Sequence, residues 1–318
     1  MLQLKVPGLY EIEDADYFSD PCPQPSLTQS IAKILLDRSP MHAAYAHPRL
    51  NPQHQPDDDK KYDTGNVCHA MLMGRGREFH LIDADDWRTK AAREERETAI
   101  GKGKIPCLRK TMTRGLAMHH AALETLRNCD IEWREGSGIH SEVAMVWEEK
   151  ASQANALPTK AKKRSKARTI WLRTKMDRCV FDKNTITVFD YKTTAMSAAD
   201  SDVSRRIYDQ GWDVQAAMHA RGLAALHPLM AGCTRHVFLV QETEPPYAMN
   251  VFEFPESVMT GGRVRLQRAI TTWAECTRTN TWPAYCTRAH PIFYPGWALQ
   301  KLEAEGYAVA SGELEAAE

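Results

Sequence analysis

Apolar positions change their period part-way along the chain. Over 27–36 and 67–73 they recur at helical spacing, and 51–63, rich in Pro, Asp, Gln and Lys, reads as an exposed loop between two helices. The stretch 86–100 is rich in Ala, Arg and Glu and predicts a solvated helix stopped by Gly101 and Gly103, with a further helix over 111–127. From 140 the period becomes two: Val143, Met145 and Trp147 share one face of a strand, Glu142 and Ala144 the other. Stretches 169–181 and 186–193 are β-branched and aromatic, and the turn formers Asp182, Lys183, Asn184 and Thr185 separate them. A helix over about 203–223, strands near 236–241 and 249–254, and a helix over 256–278 complete the pattern. This order predicts an α/β fold, a mixed central sheet flanked by helices.

Length and composition narrow the class. A chain of 318 residues with 43% hydrophobic and 26% charged residues has the make-up of a soluble globular protein, and we read one domain with long insertions. No run approaches the roughly 18 apolar residues of a membrane span, and 1–18 carries acids without an apolar h-region. No membrane association and a cytoplasmic location, in a bacterial or phage-infected cell, are expected. The eight cysteines, Cys22, Cys68, Cys107, Cys129, Cys179, Cys233, Cys276 and Cys286, contain no C-x-x-C pair. Only Cys276 and Cys286 are close in sequence, so no iron–sulfur cluster is expected.

Lys plus Arg equals Asp plus Glu at 41 each, which excludes a uniformly basic coat but not a local basic track. The longest such track is Lys160, Lys162, Lys163, Arg164, Lys166 and Arg168; acids Glu303, Glu305, Glu313, Glu315 and Glu318 gather at the other end. The track is expected either to follow a DNA backbone or to be a solvated loop.

The candidate chemistry lies in the hairpin. If the four turn residues close it, Phe181 faces Ile186, and the same register sets Asp177 across from Asp190 and Lys175 across from Lys192. Directly opposed side chains have β-carbons roughly 4.5 to 5.5 Å apart, where two like charges destabilise a sheet. A divalent cation reverses that cost, because hard ions such as Mg²⁺ take carboxylate oxygens at about 2.0 to 2.1 Å. Alternation puts Lys192 on the face of Asp190, about 6.6 Å further along the strand. Tyr191 points to the core side, with its backbone carbonyl available to the ion. A bare D-x-K is common by chance, and an exposed ribbon with paired charges is the bland alternative.

Asp177, twelve residues, then Asp190-Tyr191-Lys192 resembles the PD-(D/E)XK nuclease motif. The segments GNVCHAMLMG, DADDWRTKAAREER, VFDYKTTA and DQGWDVQAAMHARGL, with PGLYEIEDADYFSDP near the start, resemble successive parts of the RecE-like and RecB-like phage-type exonucleases. The resemblance implies a restriction-endonuclease-like core: a nuclease domain over 1–298, helical over 1–130 and catalytic over 131–298, then an acidic tail over 299–318.

It further implies that His69, Asp177, Asp190 and the Tyr191 carbonyl hold Mg²⁺, with Mn²⁺ as a substitute, while Lys192 stabilises charge at the phosphate. Gln215 matches the glutamine of a Q-x-x-x-Y signature whose tyrosine position is His219 here, and Glu142 matches a first-strand acid with an orienting or second-metal role. Lys162, Lys163, Arg164, Lys166 and Lys175 are the expected DNA contacts. The implied activity is 5′-to-3′ digestion of linear double-stranded DNA from its ends, by a ring-shaped homo-oligomer working with a RecT-type annealing protein. A flap or single-strand endonuclease of the same superfamily and a catalytically silent DNA-binding protein stay open as alternatives.

Overall fold

The structure, a computed structural model, describes residues 2–54, 64–75, 78–133, 135–151, 168–286 and 288–306. The chain divides into two compact units, Met1–Pro283 and Ala284–Glu318. The larger unit therefore ends before the boundary expected at 298. Within the smaller one, the Pro295 and Gly296 step starts a helix, α10 (Gly296–Ala304), which runs into the expected tail.

The larger unit is built on a seven-stranded mixed sheet. Its strands are β1 (Gly8–Tyr10), β2 (Ser26–Leu27), β5 (Ile139–Ala151), β6 (Arg168–Phe181), β7 (Ile186–Thr194), β8 (Thr234–Glu242) and β9 (Met249–Glu253). They lie in the order β1-β5-β6-β7-β8-β9, with β2 paired to β6; β7–β8 and β2–β6 are parallel and the rest antiparallel. A separate parallel pair, β3 (Phe79–Ile82) and β4 (Ile105–Leu108), flanks α5 (Lys90–Gly101). The mixed sheet flanked by helices agrees with the pattern read from sequence. The short strands β1, β2, β3 and β4 and the short helices α1 (Asp14–Phe18) and α3 (Pro40–Ala46) were not legible there, because so few residues carry no periodicity.

Helices cover both faces of the sheet. On one, α2 (Gln29–Asp37), α8 (Trp212–Leu226) and α9 (Glu256–Thr279) bury Val143, Met145, Trp147, Leu172, Met176 and Val188. On the other, α4 (Thr64–Met73) and α6 (Arg109–Asn128) bury Phe189, Tyr191, Val237 and Leu239 around Cys68, Leu72 and Met118. Two cores on opposite faces explain why β7 and β8 are buried at nearly consecutive positions rather than at alternate ones. The helix expected over 203–223 is two helices, α7 (Asp200–Gln210) and α8, because Gly211 adopts φ +70° and ends the first in a left-handed cap.

β6 has two different partners along its inner edge, and this positions the site. One edge of β6 pairs with β5 from end to end. The other meets β7 only over Phe181–Ile186 to Arg178–Phe189, in the register expected from the turn. Beyond Arg178 the strands part, and β2 takes up the freed edge of β6 at Trp171 and Leu172. The sheet thus forks at Asp177. Buried Asp20 fastens the β2 segment beside the fork: its carboxylate accepts from the Ser26 N–H at 2.9 Å and pairs with Arg173 of β6 at 2.8 Å.

Candidate metal centre

The fork gathers side chains from four elements. Asp177 is the first residue of β6 past the parting, so the ladder pair with Asp190 expected from the turn register is not formed; instead its Oδ2 accepts the Tyr191 N–H at 2.8 Å. His69 reaches it from α4, with Nε2 3.4 Å from Asp177 Oδ2 and 3.5 Å from Glu142 Oε1. Glu142 stands opposite Asp177 in the β5–β6 register, and that pair is missing from an otherwise continuous ladder. Its φ of +53° is rare for a glutamate and re-aims the side chain at the fork. One ligand atom from each of His69, Glu142 and Asp177 lies within 4.8 Å of the others.

Asp190, expected as a further ligand, lies outside that group of three and approaches from β7. It is 1% exposed; its Oδ2 accepts from Gln215 Nε2 of α8 at 2.5 Å, and its Oδ1 is in contact with the Lys192 ammonium. The ammonium also lies 6.0 Å above the Phe238 ring. Lys175 does not face Lys192 as the extended hairpin register would have it. It pairs with Ala144 across β5, and its ammonium binds Glu142 and, at 2.7 Å, Asp14. Two opposed lysines would repel, and the parting of the strands separates them. Lys162, Lys163, Arg164 and Lys166 lie outside the described residues.

Burial and mutual charge set the ionisation of the cluster. Burial would raise the Asp177 carboxyl, but the His69 ring, the Lys192 charge and the Tyr191 N–H hold it well below the ordinary carboxylate range. Asp190 goes the other way: burial and the nearby Asp177 charge outweigh Lys192 and push it up to about 6. Burial alone would lower Lys192 and His69, yet the surrounding carboxylates raise both above their ordinary values. His219, at the expected tyrosine position, is a buried ring pushed down to about 4 by desolvation, and its Nε2 has no hydrogen-bond partner.

The donor set fits a hard divalent cation. Buried Glu142 Oε1 accepts no hydrogen bond and has only the His69 ring 3.5 Å away, an arrangement that a cation between the two would relieve, while Asp190 Oδ1 is already met by the Lys192 ammonium. Three carboxylates and an imidazole suit Mg²⁺ or Mn²⁺ better than a thiolate-seeking metal. Sequence reasoning named each of these residues but overlooked what stands behind them. Gln241, the lone amide in the apolar run of β8, joins Tyr191, α4 and α6, and an isolated polar residue in such a run was the available signal.

Residues 165–292 match the family described as PDDEXK-like domain of unknown function (DUF3799), a span that holds Asp177, Asp190, Lys192 and Gln215. Among solved structures, the chain is similar to a protein of Eubacterium rectale with a provisional exonuclease assignment, at TM-score 0.52 and 8% identity, over 91% of this chain and 98% of that one. A second match, to the protein SSO0001, has TM-score 0.26 and 11% identity over 69% of this chain and 84% of that one, too low to inform the fold. No curated protein sequence matches the chain.

Proposed function

From the premise that this chain carries a nuclease-type PD-(D/E)XK domain, we propose that it is a Mg²⁺-dependent deoxyribonuclease digesting linear double-stranded DNA from its ends. The observation that carries this reading is the convergence of His69, Glu142 and Asp177 at one fork of the sheet, with the Asp190–Lys192 pair next to it on β7.

His69, Glu142, Asp177, Asp190 and the Tyr191 carbonyl are the groups that would hold the ion. A divalent cation bound there would supply Lewis acidity and screen negative charge on the phosphate. The side chains supply the rest. Asp177 and Asp190 act as ligands rather than general bases, since one carboxyl is held far below neutrality and the other lies against a cation. Gln215 fixes the Asp190 carboxylate by donating to Oδ2. Lys192, kept charged by the two acids, stabilises charge developing on the phosphoryl oxygens.

The 5′-to-3′ polarity, a ring-shaped homo-oligomer that encloses duplex DNA, and delivery of 3′ single strands to a RecT-type annealing partner in phage-type recombination are part of the same proposal. They rest on the resemblance of the sequence segments. The test is incubation of linear, nicked and closed circular duplexes with and without Mg²⁺, using substrates labelled at either end. Loss of the linear substrate alone, from the 5′ label inward, and a 100- to 1,000-fold fall for Lys192→Ala are expected, on the order of what is found when one charge-stabilising group is removed. Cutting of closed circles would point to an endonuclease. DNA binding without turnover would point to a silent recombination protein.

A further inference from the structure

One buried polar side chain beside the metal centre takes no part in the proposed chemistry. Gln241 of β8 is 0% exposed and lies on the α4 and α6 side of the sheet. Its Nε2 donates to the Met118 carbonyl of α6 at 2.9 Å and to the Tyr247 carbonyl at 3.0 Å. Its Oε1 accepts from the Tyr191 hydroxyl at 2.5 Å, with Cys68 Sγ 3.6 Å away; Cys68 Sγ is also 3.1 Å from the Tyr191 hydroxyl.

Every donor and acceptor of the amide is therefore engaged, and with carbonyls on one side and donors on the other it cannot flip without breaking those hydrogen bonds. The residues it grips are the neighbours of the ligands. Tyr191 stands between Asp190 and Lys192 and also donates its N–H to Asp177, while Cys68 precedes His69 on α4. The rings of His69 and Tyr191 lie 5.9 Å apart. α4 approaches closely here: a β-carbon on Gly65 would stand 2.7 Å from Thr193 Oγ1, and one on Gly115 of α6 2.4 Å from Val67. An amide binding β7, α4 and α6 at one point fixes the spacing between His69, which belongs to the helix, and the acids, which belong to the strands.

We propose that Gln241, through the Tyr191 hydroxyl and Cys68, is a positioning residue that holds His69 and the two aspartates at the separation one divalent cation requires. The inference rests on the metal-centre reading above and not on cleavage itself. Groups behind metal ligands are worth about 10- to 100-fold in metal affinity in other sites.

The experiment measures Mn²⁺ binding to the DNA-free protein by calorimetry, alongside melting temperature, for the wild type, Tyr191→Phe, Gln241→Met and the double variant. Phe189→Leu, in the same core but outside the network, is the control for simple loss of packing. Mn²⁺ affinity about tenfold weaker in Tyr191→Phe and Gln241→Met, less than additive in the double variant and unchanged in Phe189→Leu, is expected. Tyr191→Phe removes one oxygen atom and leaves an answer even if Gln241→Met does not fold. Unchanged Mn²⁺ affinity in Tyr191→Phe, or an equal loss in Phe189→Leu, overturns the positioning role, as does a wild type that takes up no Mn²⁺. Wild-type protein that binds Mn²⁺ but leaves DNA intact would overturn the nuclease reading while the positioning result stands.

Discussion

Glu142 occupies a backbone conformation that costs a glutamate energy. A non-glycine residue in the left-handed region is strained by about 1 to 3 kcal/mol, and such strain persists where surroundings enforce it. Here the Lys175 ammonium grips one carboxylate oxygen, while the other lies 3.5 Å from the His69 ring. Asparagine tolerates this region well, so Glu142→Asn should melt no lower than the wild type while weakening Mn²⁺ binding about 10-fold or more. Calorimetry and thermal melts on one preparation check both halves. A large fall in melting temperature with unchanged metal affinity would make Glu142 a structural residue. The left-handed φ was invisible in the sequence. Alternation along β5 put Glu142 on the correct strand, but the re-aiming toward His69 comes from a break in the ladder that periodicity does not encode.

Among the elements, α9 shows how spacing decides the effect of an identical substitution. Gly261 has open space where a β-carbon would stand, whereas one on Gly262 would lie 2.1 Å from the Asp213 carbonyl oxygen of α8. Gly261→Ala should stabilise by roughly 0.5 to 1 kcal/mol through helix propensity. Gly262→Ala should destabilise by about 3 kcal/mol, since the helices must move apart. Thermal melts should shift in opposite directions, by about +2 °C and about −8 °C; shifts of the same sign would show that the α8–α9 contact is not as close as described.

Long elements with sustained periodicity were legible: α6, β5, β6, β7 and α9 fall within a few residues of their predicted spans. The turn chemistry also fixed the hairpin register, including Phe181 opposite Ile186. What stayed hidden was tertiary: the fork, held open by a two-residue strand from the other end of the chain, and the helix break at Gly211.

For the whole molecule, equal numbers of acids and bases mean that affinity for a polyanion must come from local charge. The track Lys160, Lys162, Lys163, Arg164 and Lys166 falls in the sequence between β5 and β6, the two strands that carry Glu142 and Asp177, and its last cation, Arg168, is the first residue of β6. If it follows the DNA backbone, replacing these cations with Gln should flatten the plot of log binding constant against log salt by about 0.9 for each phosphate no longer neutralised. An unchanged slope would make the track a solvated loop. Among the described residues, no helix is long and apolar enough to cross a membrane.

Side chains from α4, β5, β6 and β7 converge where the sheet divides, and the claim on which the rest depends is that they share one cation. Anomalous diffraction from a crystal soaked in Mn²⁺ measures this directly. One peak within coordination distance of His69 Nε2 and of carboxylate oxygens from Glu142, Asp177 and Asp190 is the predicted result. A well-ordered fork without a peak, or with manganese bound only elsewhere, would contradict it.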